Sequence, residues 1–212
     1  MNLTLRISSS EKRLIKHLEL FFKSHYPDDT LVSHGLLHHR RVWDYAKDLI
    51  KCVYREKEMT DPLLTDKLLI ACYLHDIGMT IETGEKHGCH SRAFCEIFLT
   101  QNNLDNSLYA DVLQAVEDHD NKEFTGNAAR SEILNILTTA DDLDAFGMTG
   151  VERYLEIYRL RGITGSEAGA RILENSHNRF RNFEQYFGKY PELFEKHKNR
   201  YMILVDHFSS CY

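Results

Sequence analysis

Leu69-Ile-Ala-Cys-Tyr-Leu-His75-Asp76-Ile-Gly78 opens as the apolar run of a buried helix and stops on an imidazole and a carboxylate. Burying an unpaired ionisable group costs several kcal/mol, so His75 and Asp76 need partners. A divalent cation satisfies both at once. His and Asp are ordinary ligands for zinc, manganese or ferrous iron, and Asp also suits magnesium. A helix C-terminus with a dipole-favoured His and a solvated Asp explains such a pair when it stands alone. The rest of the chain decides between the two readings.

Outward from this stretch, nearly every segment has helical period. Ser8-x-x-Glu11 reads as a capping box ahead of a stripe of Leu14, Ile15, Leu18, Phe21 and Phe22, and Tyr26-Pro27-Asp28-Asp29 breaks that helix. A second helix is expected from about Leu36 to Glu58, with Val42, Ala46, Leu49, Ile50 and Val53 on one face. Asp61-Pro62 reads as an N-cap and first-turn proline, opening the helix that carries Leu64, Leu68, Ala71 and Cys72 to His75-Asp76. A fourth helix is expected over about Lys86 to Leu99. A fifth runs from about Ser107 to Asp120, with Leu108, Val112, Ala115 and Val116 inward. After the polar segment Asn121 to Ala129, which reads as a loop, Ser131 to Phe146 resumes the stripe with Ile133, Ile136, Leu137 and Ala140. Gly147, Gly162 and Gly165 punctuate a further helical part. With no strand-like alternation, repeat or low-complexity linker, the expected fold is all-α, a single-domain helical bundle over residues 1–212.

Composition bounds the function. A chain of 212 residues, 42% hydrophobic and 27% charged, supports one good core. The formal charge of −6 argues against a nucleic-acid duplex as the main partner. No apolar run is long enough for a bilayer, and Met-Asn-Leu-Thr-Leu-Arg lacks a signal-peptide core. Cys52, Cys72, Cys89, Cys95 and Cys211 are odd in number and form no C-x-x-C pair, which argues against a disulfide scaffold or zinc knuckle. Cys52, Cys72 and Cys95 read as small core residues, and a reducing cytoplasm is the expected location.

Polar residues recur along the apolar seams. His38 lies one turn before Val42, and His75-Asp76 end the third helix. His87 and His90 share a face of the fourth at i, i+3. His119 lies one turn beyond Ala115. Asp141 follows Leu137 at i, i+4, with Asp144 a turn further on. A lone histidine on such a face is usually a satisfied core residue. Five helices bringing a His or Asp into line together point instead to a metal site built between facing helices.

These residues resemble the pattern of the HD-domain metal-dependent phosphohydrolases. It reads His38-His39-Arg40-Arg41-Val42, then Leu74-His75-Asp76-Ile77-Gly78, then Ala140-Asp141-Asp142-Leu143-Asp144-Ala145-Phe146-Gly147. The resemblance spans about Leu31 to Arg161 as a metal-site core, leaving about 162–212 as a helical extension. It implies that His38, His75, Asp76 and Asp141 bind one divalent metal. His34 and His39 flank the first position, and His38 is preferred because Arg41-Val42 follow at the family's spacing. In binuclear members further histidines bind a second metal with the doublet Asp bridging. His87, with His90 as its competitor, and His119 are the matching residues. The cofactor is thus one or two ions of manganese, iron, cobalt, nickel, zinc or magnesium.

The implied chemistry is hydrolysis of a phosphate ester, with a nucleotide or related small phosphorylated metabolite as substrate. A bound cation lowers the pKa of water and draws charge from a phosphoryl oxygen. Asp76, His119 and Asp144 are the candidates for catalytic roles, Asp144 either as a base or as a partner fixing a ligand histidine. Lys86, Arg92 and Lys122 are candidates for holding the anion, with Arg153 and Arg161 behind them. Two rivals remain: a di-iron HD-fold oxygenase, for which His87 and His119 supply the extra nitrogens, and a non-catalytic, metal-stabilised ligand-binding module.

Overall fold

The computed structural model describes residues 2–27, 31–55, 57–84, 86–121 and 130–211. Helix α1 (Leu3–His25) starts at Asn2, whose Oδ1 accepts the Thr4 N–H at 2.9 Å. It therefore begins a turn and a half before the expected capping box, and Ser8 lies inside it. A 3-10 turn (Val32–His34) leads into α2 (Leu36–Val53), which ends sooner than Glu58. Next come α3 (Leu64–Leu74), a 3-10 turn (Ile77–Thr80), α4 (His87–Gln101), a 3-10 turn (Asn106–Tyr109), α5 (Ala110–Asp118) and α6 (Glu132–Asp144). The chain continues with α7 (Gly147–Leu160), α8 (Gly165–Phe187) and α9 (Pro191–Cys211). The fold is all-α, with no strand among the described residues.

Contacts divide the chain into two compact units, Met1–Thr138 and Thr139–Tyr212. The division falls inside α6, upstream of the boundary near 161 drawn from the motifs.

In the first unit α3 is the central element. It packs against α1, α2, α4 and α5, and every residue from Leu64 to Leu74 is buried. A helix buried all round has no amphipathic face. Even its charges lie inside, each paired: Asp66 with Arg13, and Lys67 Nζ with Asp61 at 2.8 Å and Asp111 at 3.0 Å. Asp61 does cap the entry, its Oδ1 accepting the Leu63 N–H at 2.8 Å, but Pro62 stays in the preceding turn and the helix proper starts at Leu64.

The expected seams are otherwise in place. Val42, Ala46, Leu49 and Ile50 are buried on α2, with Val53 half-buried at its end. Val112, Ala115 and Val116 are buried on α5. Leu108 is the exception at 54% exposed. The 3-10 turn before α5 rotates it out and buries Tyr109 instead.

Two glycines set how closely the elements near His75-Asp76 approach. A Cβ on Gly78 would lie 2.2 Å from the His87 carbonyl oxygen, and one on Gly88 2.3 Å from that of Glu117. Neither contact tolerates a side chain. Gly78 lets the turn after the doublet rest on the start of α4, where its N–H donates to Ser91 Oγ at 2.9 Å. Gly88 lets α4 rest on α5.

The second unit has its own core, in which Ala145, Val151, Tyr154, Tyr158, Ala168, Ile172, Leu204 and Phe208 pack together. Phe180 stacks on Tyr201 at 4.3 Å between α8 and α9.

Candidate metal centre

Asp76 is the hub of the first unit. It follows the C-terminal end of α3 and is 3% exposed. Its two carboxylate oxygens face two different pairs of histidines. Oδ2 lies 3.5 Å from His38 Nε2 and 3.3 Å from His75 Nε2. Oδ1 lies 3.4 Å from His87 Nε2 and 2.9 Å from His119 Nε2. Within each pair the nitrogens face one another at 3.2 Å. Ligand atoms of His38, His75 and Asp76 lie within 4.8 Å of one another, and those of Asp76, His87 and His119 form a second such group.

The backbone fixes which nitrogen points inward. Nδ1 of His75 lies 3.1 Å from the Cys72 carbonyl, Nδ1 of His87 2.7 Å from that of Gly84, and Nδ1 of His119 2.7 Å from that of Val116. Each is the carbonyl three residues back. A carbonyl only accepts, so each Nδ1 carries a proton and donates it. That leaves the Nε2 lone pair of a neutral ring directed at Asp76, the usual support for a metal-ligating histidine.

The donor set therefore fits a divalent cation. Two nitrogens each about 2.0–2.1 Å from one ion, at angles between octahedral and tetrahedral, stand about 2.9–3.4 Å apart. The 3.2 Å separation in both pairs falls in that range. Facing lone pairs repel unless a proton or a cation lies between them. Without a metal the proton takes this part: an Nε2–H donated to Asp76 by a ring already protonated at Nδ1 requires an imidazolium. Burial works against a charged His87, yet the hydrogen bond and attraction to Asp76 outweigh it and push its pKa up to about 9. Burial likewise opposes ionisation of Asp76, but His75, His119 and His38 together hold its carboxyl well below the usual carboxylate range.

The flanking histidines divide clearly. His90 is turned away from Asp76, with its Nε2 3.8 Å from Glu82. His39 is fully buried, its Nδ1 3.0 Å from the Cys72 carbonyl that also receives His75. Burial, then repulsion from His38 and His75, pushes the His39 pKa well below its ordinary value, so the ring is neutral. His34, which flanks His38 in the sequence, also joins the cluster, with Nε2 3.9 Å from Asp76 Oδ2.

Asp141 and Asp144 belong to the second unit and sit among arginines there. Asp141 Oδ1 accepts from Arg153 Nη2 at 3.1 Å and Oδ2 from Arg179 Nη1 at 3.2 Å. Asp144 accepts from Arg153 Nη1 at 3.2 Å, and Asp142 from Arg179 Nη1 at 2.6 Å. Asp144 thus helps hold Arg153. Arg153 is buried at this carboxylate cluster, whereas Arg161 is exposed. Arg179 was not singled out from the sequence, because thirty-odd residues of chain and a helix separate it from the motif it serves.

The remaining candidates for holding an anion are Lys86, Arg92 and Lys122. Lys86 is exposed. Arg92 is occupied in clamping α4 to α5, with Nη1 2.6 Å from Glu117 and Nε 3.2 Å from Glu96. Lys122 lies outside the described residues.

Comparison with protein families matches the HD domain over residues 38–146, more than half of the chain. The chain belongs to the HD-domain family, within a superfamily of metal-dependent hydrolases whose members typically bind divalent metals. A search of curated proteins returned no match. Among the described residues no helix is long and apolar enough to cross a membrane.

Proposed function

We propose that the chain is a phosphohydrolase with a binuclear metal centre, cleaving a phosphate ester of a nucleotide or related small metabolite. The observation that carries this reading is the division of Asp76, one oxygen toward His38 and His75 and the other toward His87 and His119. A carboxylate placed so is suited to bridging two cations. Asp141, on the strength of the HD motif alone, is assigned to the first ion with His38, His75 and Asp76.

Bound cations would make water nucleophilic near neutral pH and stabilise charge on the phosphoryl oxygens. The chain's own contribution is positional. Carbonyls of Cys72, Gly84 and Val116 hold three imidazoles in the ligating tautomer, so no ring must rotate or shed an Nδ1 proton when the centre fills. Burial of Asp76 and its four histidines keeps bulk water away, which strengthens each electrostatic contact. The ionised state of Asp76 would supply the negative charge that retains the cations.

Metal-to-protein ratio and phosphate release test the proposal together. Wild type should hold two equivalents, and His87→Ala or His119→Ala one. A screen of nucleotides and sugar phosphates with manganese, cobalt, magnesium or nickel should give phosphate release that a chelator abolishes. An unchanged ratio in both variants would remove the second ion. The same nitrogens suit a di-iron oxygenase, so oxygen consumption by iron-loaded protein, with no phosphate released from any ester, would replace the hydrolase reading.

A further inference from the structure

The carbonyl that supports His75 is shared. His75, His87 and His119 each donate Nδ1–H to the carbonyl three residues back, at 3.1, 2.7 and 2.7 Å respectively. Among the described residues, the Gly84 and Val116 carbonyls each receive one imidazole. The Cys72 carbonyl receives two, because Nδ1 of His39 lies 3.0 Å from it as well. A carbonyl only accepts, so Nδ1 of His39 carries a proton whatever the charge on the ring. His39 is fully buried, its ring centroid 5.0 Å from that of His75 and 4.6 Å from that of Phe22. Its Nε2 is buried with no hydrogen-bond partner among the described residues. An orphaned ring nitrogen is a cost that an apolar side chain of similar shape would avoid. What the imidazole contributes here is the N–H that it places on Cys72.

We infer that His39 is a positioning residue for the first ion: by sharing the Cys72 carbonyl it weakens the support of His75 and keeps that ion less tightly held than its ligands alone would give. The inference rests on the proposed binuclear centre, and no substrate enters it. A ligating histidine gains basicity at Nε2 from the acceptor at its Nδ1–H. One oxygen divides its electron density between two donors, so each bond is weaker than either would be alone. The longer contact of His75, against the 2.7 Å of His87 and His119, is the geometric trace of that division. The rival role for His39 is that of a ligand, since ligand atoms of His38, His39 and His75 lie within 4.8 Å of one another. Its Nδ1 is already committed to Cys72.

The test titrates manganese alone into metal-stripped, full-length His87→Ala protein, which on the proposed assignment retains the first ion, with His39→Phe or His39→Asn added. Phenylalanine keeps a ring and removes the N–H, whereas asparagine places an amide N–H where Nδ1 stands. His39→Phe should bind the first ion roughly threefold to tenfold more tightly, a fraction of the roughly tenfold to hundredfold change that follows loss of such a supporting contact outright. His39→Asn should restore the parent affinity. Damage to packing loosens a centre, so tighter binding is a result that a merely structural role does not give. In zinc-loaded wild type the Nδ1 proton of His75 should resonate upfield of those of His87 and His119, and in His39→Phe it should move downfield. Should His39→Phe not fold, His39→Leu takes its place, and the order of the wild-type resonances needs no variant. Unchanged or weaker first-ion affinity in the folded variant overturns the inference, as does a His75 proton downfield of the other two. Loss of the ion from both His39→Phe and His39→Asn also overturns it, making His39 a ligand. Failure of wild type to bind any divalent metal removes the metal centre and this inference together. Metal bound alike by all the His39 variants removes only the role of His39.

Discussion

In the proposed centre, protons and metal would compete for the same nitrogens at Asp76, and His87 sets the scale of the competition. Its pKa is raised from the ordinary 6.5 to about 9 by Asp76, against the opposing effect of burial. At pH 7 the protonated ring then outnumbers the neutral one by about a hundredfold, equivalent to about 2.7 kcal/mol that a metal must overcome. Apparent affinity for the second ion should therefore rise about tenfold per pH unit from 7 towards 9 and level off above. Stability of the metal-stripped protein should move in the opposite direction. A group whose folded pKa is raised contributes stability that is fully present below the unfolded pKa and is lost as pH rises through the folded one. The His87 contribution is thus complete below about 6.5 and gone above about 9. The assay is calorimetric titration with manganese from pH 6.5 to 8.5, in two buffers of different protonation enthalpy to count released protons, with thermal melts of stripped protein alongside. Asp76→Asn should flatten the melting trend by removing the charge that raises the pKa. Affinity independent of pH over this range, with no proton released on loading, would refute the reasoning.

Asp76→Ala should empty both halves of the centre while helical circular dichroism persists, because the apolar seams are untouched; full metal occupancy in that variant would contradict its place as hub. Gly88→Ala drives a Cβ to 2.3 Å from the Glu117 carbonyl oxygen, so it should cost about 1–3 kcal/mol in a denaturant melt and weaken the second ion by parting α4 from α5; unchanged stability would show that the contact relaxes freely. Arg92→Ala breaks half-exposed pairs with Glu96 and Glu117, and should cost less than about 1 kcal/mol while leaving metal content and hydrolysis alone. A tenfold rise in KM in Arg92→Ala would return that residue to the substrate.

Much of this molecule can be read from its letters, and the exceptions have identifiable causes. Helical period located the helices of the first unit because their faces differ, yet α3 is buried all round and its centrality shows only once its neighbours are in place. The start of α1 escaped because Asn2 caps as well as Ser8 would, and a cap motif inside a continuous helix is silent. Residue type and order brought His38, His75, Asp76, His87 and His119 to attention. Spacing could not choose between His87 and His90, which sit three apart at the first turn of α4, where the preceding turn decides direction. The anchors of the ligand rings were invisible in principle, since the Cys72, Gly84 and Val116 carbonyls belong to the backbone that every residue carries. Gly78 and Gly88 carry no chemistry and attract no notice until the facing carbonyls of His87 and Glu117 are measured.

His75 and His119 have a further property in common: each is the C-terminal cap of its helix, α3 and α5 respectively. Helix C-termini carry partial negative charge, so two of them reinforce the field of the Asp76 carboxylate, and the N-terminus of α4 at His87 offsets only part of it. On the phosphohydrolase reading, this field without bound metal would repel a phosphate dianion. Cations would then have to arrive before substrate, reversing the sign that an incoming anion meets. Under the proposed function, helix polarity would thus impose an order of assembly: no metal, no admission.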